Sequence, residues 1–590
     1  MLAGILALVV AASGPALEVD ASAGRHAISP DIYGMNFADP ALAREIRLPV
    51  DRWGGNATEA YNWRIGATNL GNDWYFENIA DCWDDAGAWC AHGNDEHDWE
   101  RQVAGDASAR AKTLLTLPMM GWVAKDAPLG HPLTCAFPRS AHPAQDAFDP
   151  YDSDCGNGRS GGTWVDSSPA AAGAPFDPPD AAEWVRAAAA RGVRLFELGN
   201  EPMLWSETHH AFHPARTSYD ELWTRSRDLA AAVKHADPSA LTFGPAEWGW
   251  PNYFCSDADV VSAGCSAASP DRAAHGGRPL VEWYLDRMRE YQQAHGVRLL
   301  DYFDLHYYAQ GGVGTPDVTR SLWDPSYVDP SWIGNRIALI PRMRAWVDRH
   351  YPGTRLSLSE YDLTGDNDGV VDTLVQADTL GIFAREGLDL ATRWNPPSAG
   401  QRQADAWRLF RDYDGVGGRF GSTYVRSVSA DQSRLAVYGA LRSDGPLTVV
   451  VINKTASALS SRLAVRGFAA NGSARVYRWT GSGIARGADV PVTGGAVAAT
   501  FPARSMTMLV LDRAVVAPPP PTPKVCLVPR LRGRTRAGAR RAIRRAGCAV
   551  GRVRWRSRRG VRPGRVLSQR PRAGRRLRVC ARVSFVVRRR

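Results

Sequence analysis

None of the nine cysteines stands in C-x-x-C spacing or beside a partnered pair of histidines, so the chain lacks the ligand pattern of a zinc finger or ribbon. No run beyond the first sixteen residues is long and apolar enough to cross a membrane as a helix. From Lys524 onward there is no aspartate and no glutamate, against one lysine and 24 arginines. With +10 for the whole chain, that tail of +25 leaves residues 1–523 at −15. The protein reads as an acidic body carrying a very basic tail, so its overall basicity describes the tail alone.

At 590 residues and 44% hydrophobic content, the chain has room for about three or four domains and a large core. Residues 1–16 are an apolar run closed by Ser13-Gly14-Pro15-Ala16, which reads as the apolar and cleavage regions of a secretory signal, without the usual charged start. The cysteines agree with export. Cys82 and Cys90, Cys135 and Cys155, and Cys255 and Cys265 form three close pairs in loop-like stretches and read as disulfides. Cys526, Cys548 and Cys580 share the tail, so one is left over.

The body is organised around the stretch Arg194 to Pro202. Val193, Leu195, Phe196 and Leu198 make a short buried strand. Asn200-Glu201-Pro202 ends it, because proline cannot donate to a sheet ladder. Arg355 to Tyr361 has the same design and delivers Glu360. Two carboxylates at two strand tips are what glycoside hydrolysis requires, one as acid and one as base or nucleophile.

Eight strands are expected at 31–37, 46–53, 112–120, 193–200, 241–245, 302–308, 355–361 and 390–394. Helical spacing falls between most of them, at 181–190, 218–235, 280–295, 331–350 and 373–385. Such alternation indicates a (β/α)8 TIM barrel over 31–415, with Glu201 on strand four and Glu360 on strand seven. The loops after strands two, three and five hold the three cysteine pairs. From about residue 416 to 515 short alternating runs at 434–439, 447–453, 462–465, 474–479, 497–501 and 506–511 indicate an all-β sandwich, which residues 17–30 join by a strand. A proline-rich linker at 516–523 leads to a small α+β domain at 524–590.

Several ordered motifs carry a family resemblance. They are Arg52-Trp53-Gly54-Gly55-Asn56, Tyr61-Asn62-Trp63, Asn69-Leu70-Gly71-Asn72-Asp73-Trp74-Tyr75 and Leu198-Gly199-Asn200-Glu201-Pro202, followed by Asp304-Leu305-His306-Tyr307-Tyr308, the run Ser321 to Asp329, and Ser359-Glu360-Tyr361-Asp362. From about Ser29 to Asp512 the chain resembles glycoside hydrolase family 44. The resemblance implies a retaining endo-acting hydrolase of β-1,4-glucans, cellulose-like or xyloglucan, with mannan as a rival substrate. It implies Glu201 as acid/base and Glu360 as nucleophile. A wall- or carbohydrate-binding protein without catalysis is the rival class, and the presence of both glutamates argues against it.

Asn200 is expected to reach a sugar 2-hydroxyl. Tyr308 is expected to hydrogen-bond Glu360, and Arg52 to keep it ionised by its charge. His306 and Asn56 join the substrate-binding candidates. Among 21 tryptophans, Trp53, Trp63, Trp74, Trp122, Trp205, Trp248, Trp250, Trp323 and Trp394 fall just beyond strand tips. Indole faces stack on the C–H faces of pyranose rings, which suits an open glycan cleft. Trp394 is expected as the floor of the −1 subsite. No organic cofactor and no catalytic metal are needed. Structural calcium is implied by the family, with no ligands assigned; Asp366-Asn367-Asp368-Gly369 lacks the later glutamate of a twelve-residue loop and reads as a solvated turn.

In the tail, Val528 to Thr535, Ala539, Ile543, Ala546-Gly547, Gly564 to Gln569, Pro571 and Gly574 resemble a PASTA domain, which implies peptidoglycan as a partner. The arginines would equally attach to anionic wall polymers by charge alone. Charge alone would also suit nucleic acid, but the tail has no recognition motif for it.

Overall fold

The structure is a computed structural model that describes residues 12–81, 97–309, 315–365, 367–514 and 525–589. It falls into two compact units, Met1–Ala514 and Val515–Arg590. The first eleven residues, the Cys82–Cys90 pair and the proline-rich linker lie outside the described residues.

In the first unit eight parallel strands close into a barrel. In chain order they are Gly34–Asn36, Val50–Trp53, Lys112–Leu117, Leu195–Leu198, Leu241–Glu247, Tyr302–Tyr308, Arg355–Asp362 and Leu390–Arg393. Side chains two apart on a strand share a face, and that period sorts the interior into layers. Val50, Leu114, Leu195, Phe243, Tyr302 and Leu390 form an apolar floor, where the Phe243 and Tyr302 rings stack at 4.0 Å. Two residues further along come Arg52, Thr116, Glu197, Asp304 and Thr392, all buried. The barrel is thus apolar at its base and ionic beneath its mouth.

Several elements differ from expectation. Strand one starts only at Gly34, because Pro30–Tyr33 form a short 3-10 turn. Strand two starts at Val50, because Pro40–Ile46 are helical and Arg47, at φ 51°, ends that helix. Strand five runs on past Pro245 to Glu247. The helix expected from residue 331 begins at Leu339. Pro341 is tolerated only in a first turn, since its ring would clash with the carbonyl four residues back in a longer helix. Helices at Asp98–Ala109 and Ala404–Arg411 also stand where no helix is expected from periodicity.

The same unit contains an all-β layer that returns on itself. Its path runs from Leu17–Asp20 through Thr423–Ser429, Leu435–Leu441, Leu447–Asn453, Ser505–Arg513, Ala470–Trp479, Ile484–Thr493 and Ala496–Phe501 to Leu459–Arg466, which pairs again with Leu17–Asp20. Leu17, Val19, Val437, Val449, Leu463 and Leu509 belong to its apolar interior. The barrel helix Val370–Glu386 is almost wholly buried. Its Asp378 accepts from Thr319 Oγ1 at 2.6 Å, Tyr438 OH at 2.7 Å and Lys454 Nζ at 2.5 Å. That buried ion pair ties the barrel to the β-layer.

Disulfides join Cys135 to Cys155 and Cys255 to Cys265, both in loops on the barrel's carboxyl-end side. The second unit packs helix Arg536–Arg545 with a sheet of Ala549–Arg556, Arg582–Arg588 and Val566–Arg570, and a separate pair, Val525–Leu527 with Arg576–Arg578. Ile543, Val566, Val583 and Phe585 are in its core. Cys526 bonds Cys548, and Cys580 is the exposed free cysteine. Among the described residues no helix is long and apolar enough to cross a membrane.

Candidate active site

The site lies at the carboxyl tips of the barrel strands. Glu201 follows strand four with φ 46° and ψ 57°, a left-handed turn that breaks the strand before Pro202. Its amide donates to the Ala246 carbonyl near the end of strand five at 3.1 Å. Glu360 is the sixth residue of strand seven. Its side chain is 5% exposed, against 14% for Glu201. Carboxylate oxygens of the two glutamates and a ring nitrogen of His306 all lie within 4.8 Å of one another.

Arg52 is the hub beneath them. Its guanidinium is fully buried and donates in four directions: Nε to Glu197 at 2.8 Å, Nη1 to Asn36 at 2.9 Å and to Glu360 at 2.7 Å, and Nη2 to Asn200 Oδ1 at 2.9 Å. Burial opposes the charge of Arg52, but Glu197 and Glu360 hold it well above its ordinary range. Burial likewise opposes ionisation of Glu197, yet Arg52 and His306 draw that carboxyl below its usual value.

The two glutamates have different neighbours. Tyr308 OH donates to Glu360 Oε2. His306 Nδ1 lies 2.8 Å from Glu201 Oε1 and 3.4 Å from Glu360 Oε2. Burial pushes Glu201 up, and the charge of Glu360 adds to this, while the bond from His306 pulls the other way. Burial lowers His306, but Glu360 and Glu201 together raise it to about 9. The site therefore holds a carboxyl biased toward its proton beside a second carboxylate that accepts from a guanidinium and a phenol.

Asn200 is fixed at both ends. Its amide donates to Glu59 Oε2 at 2.6 Å, and its side chain meets Arg52 and Asn56. Trp394 is half-buried at the tip of strand eight, 6.4 Å from the Phe37 ring. It closes over Gly55, where a Cβ would sit 2.6 Å from the indole and φ is +97°, so only glycine fits. A cavity of about 470 Å3 opens beside it, lined by Asn36, Phe37, Asn367, Arg393, Trp394 and Gln401.

Two expected sugar-binding tryptophans are placed elsewhere. Trp53 alternates with the inward-pointing Arg52, so it faces outward and packs against Tyr61 and Trp184 at 4.7 and 5.7 Å. Trp205 is fully buried and its Nε1 donates to the Asn200 carbonyl at 2.9 Å. Neither ring offers a face to a sugar. Trp74, 40% exposed, stacks near Tyr151 at 6.2 Å, and Trp248 stacks on the half-exposed Trp332 at 5.8 Å, so these keep accessible edges.

Residue types alone did not single out Asn36, Glu59, Glu197, Glu247 and Asp304. Glu59 accepts three backbone amides, from Met119, Met120 and Asn200. Glu197 and Asp304 are inward positions on strands four and six, and an acid inside an otherwise apolar strand was the available signal. Glu247 is fully buried at the tip of strand five, where burial together with the charge of Glu201 pushes its carboxyl well above the usual range.

A separate acidic group lies on the loops after strands two and three. Glu77 is buried, its Oε1 has no hydrogen-bond partner among the described residues, and burial with the charges of Asp149 and Asp152 pushes it up to about 9. Asp368, by contrast, accepts the amides of Arg402 and Gln403 at 3.0 and 2.8 Å and serves a turn, while residue 366 lies outside the described residues.

Comparison with known proteins identifies the family. The profile of glycoside hydrolase family 44 matches residues 67–311. CelM2, a bifunctional glucanase-xylanase from a metagenome library, is 35% identical, with a TM-score of 0.79 over 85% of this chain and 100% of that one. The chain belongs to glycoside hydrolase family 44. A family 44 xyloglucanase of Paenibacillus polymyxa has a TM-score of 0.68 at 27% identity, covering 85% of this chain and 100% of that one. Endoglucanase A of Paenibacillus lautus is 30% identical over 484 residues, 75% of this chain and 64% of the relative. The chain thus spans less than two thirds of the length of the curated relatives it matches.

His306 gives this family 44 site a pH signature. Its folded pKa of about 9 lies above the ordinary 6.5, so its contribution to stability is complete below pH 6.5 and disappears as pH rises through about 9. Thermal midpoints measured across that window should fall more steeply for the wild type than for H306Q; equal slopes would mean that His306 is neutral.

Proposed function

We propose that this protein is a secreted, retaining endo-β-1,4-glucanase acting on cellulose-type glucans, with xyloglucan as a further substrate. The supporting observation is that a carboxylate oxygen of Glu201 lies within 4.8 Å of one of Glu360. Retaining enzymes hold their carboxyls about 5–5.5 Å apart, whereas inverting ones leave about 6.5–9.5 Å for a water. The names of the relatives, an endoglucanase, a glucanase-xylanase and a xyloglucanase, support the substrate class.

Glu201 gives its proton to the glycosidic oxygen while Glu360 attacks the anomeric carbon, so the departing chain leaves as an alcohol and a glycosyl ester forms on Glu360. The His306 N–H then stabilises the new Glu201 carboxylate. Glu360 loses its charge in this step, but Arg52 keeps Glu197 as a partner and is never left unpaired. Glu201 next takes a proton from water, which attacks the anomeric carbon and frees Glu360. Asn200, held by Arg52 and Glu59, presents its amide to the 2-hydroxyl of the sugar, and Trp394 forms the floor below it. Asn56 stands at the same wall through its contact with Asn200.

Calcium would be held by Glu77, Asp149 and Asp152, where it would stiffen the loops after strands two and three. The disulfides support an oxidising, extracellular setting. The arginine-rich unit would act as a PASTA-like module and attach the enzyme to anionic wall polymers or peptidoglycan by charge.

Proton NMR of the first products from carboxymethylcellulose should show the β-anomer for wild type, and E201Q and E360Q should each lose about three or more orders of magnitude in rate. An α-anomer first would mean inversion. Added calcium should raise the thermal midpoint by several degrees and chelator should lower it, with E77Q insensitive to both; no response in wild type would remove the ion. Truncation after Pro523 should leave turnover of soluble glucan unchanged and abolish salt-sensitive binding to isolated cell walls, whereas undiminished wall binding would place the attachment in the body.

A further inference from the structure

Strand seven carries one residue too many just before Glu360. Asp304 and His306, two apart on strand six, pair with Ser357 and Glu360, three apart on strand seven. On the other side Leu358 and Tyr361 pair with Ala391 and Arg393, again three against two. The extra residue leaves a backbone segment centred on Ser359 outside both ladders. A bulge of this kind bends its strand and re-aims the next side chain, which here is Glu360.

Side chains supply what the ladders do not. The Ser359 amide donates to Asp304 Oδ1 at 2.9 Å, and its hydroxyl donates to Asp304 Oδ2 at 2.5 Å. Its carbonyl accepts from Asn36 Nδ2 at 3.1 Å and Thr392 Oγ1 at 2.5 Å. Asp304 is fully buried, so the Ser359 amide has no water to turn to if that carboxylate is removed. Asn36 in turn accepts from Arg52, the residue that bonds Glu360. The bulge is therefore pinned from strand six by one carboxylate and from strands one and eight by two polar side chains.

We infer that Asp304 is a positioning residue that holds the Ser359 bulge and so sets the direction in which Glu360 meets the anomeric carbon. This rests on Glu360 as the nucleophile. Misplacing a reacting group by about 1 Å can cost a factor of about 100 in rate while substrate contacts elsewhere remain. The effect should fall on kcat rather than on KM, which a purely structural role would not produce.

The test measures kcat, KM and thermal midpoint on carboxymethylcellulose for wild type, D304A, D304N, S359A and E360Q, all in the full chain. D304A should lose about 100-fold in kcat with KM within about twofold. D304N keeps an oxygen for the Ser359 amide and should recover about tenfold of that loss. S359A keeps the amide and should be the mildest of the three. An inactive E360Q beside a folded D304A with wild-type kcat would overturn the role of Asp304, as would a D304A or D304N loss confined to KM. An E360Q with wild-type kcat would instead overturn the nucleophile assignment on which the inference stands.

Discussion

The buried guanidinium of Arg52 is the constraint on which the site depends. It reaches Asn36 on strand one, Glu197 on strand four, Asn200 just beyond it, and Glu360 on strand seven. Placing a charge in a barrel interior is costly, and only full pairing and full hydrogen bonding offset the lost hydration. Arg52 meets both conditions with two carboxylates and two amide oxygens. Removing it would strand Glu197 and Glu360 together in a poorly hydrated space. The guanidinium's fixed fork also dictates angles, so one side chain aligns several strand ends at once.

The layers of the barrel explain why such a hub can exist. The apolar floor of Val50, Leu114, Leu195, Phe243, Tyr302 and Leu390 closes the base by burial alone. The ionic layer above it needs specific partners, and five of the strands supply one polar or charged side chain each, Arg52, Thr116, Glu197, Asp304 and Thr392. At the mouth the backbone departs from regular strand geometry, with a left-handed turn at Glu201 and a register slip before Glu360. Each irregular point is held by a carboxylate accepting backbone amides, Glu59 at Asn200 and Asp304 at Ser359. The working side chains are thus aimed by bends, and the bends are held by buried acids. On the far side, the Asp378–Lys454 pair fixes the β-layer against helix Val370–Glu386.

Much of this was legible in the residues. Eight apolar runs marked the barrel, because inner strands must be apolar on a period of two. Glu201 and Glu360 stood out because each interrupts such a run at its end. Tyr308 and Arg52 do bond Glu360, as the order of residues suggested. What escaped notice had physical causes. Trp53 and Trp205 look like cleft aromatics by position, but strand alternation turns the first outward and a carbonyl bond draws the second inward. Glu59 lies on a short helix, Asn56–Glu59, whose polarity hides its burial. The bulge at Ser359 cannot be seen in one strand, because it is a mismatch between neighbours. The strand Ile484–Thr493 is largely exposed on both faces and shows no alternation to read.

The most direct test of the arrangement is to trap its covalent state. Wild type is incubated with a 2-deoxy-2-fluoro cello-oligosaccharide carrying an activated leaving group, then digested and mapped by mass spectrometry. The electronegative fluorine slows the second displacement more than the activated first one, so the glycosyl-enzyme accumulates. A single sugar adduct on Glu360, formed at a rate that drops sharply when Arg52 is replaced by methionine, is the expected result. An adduct on another residue, or complete hydrolysis of the reagent with no adduct, would contradict the assignment of Glu360 as the group that Arg52 holds for attack.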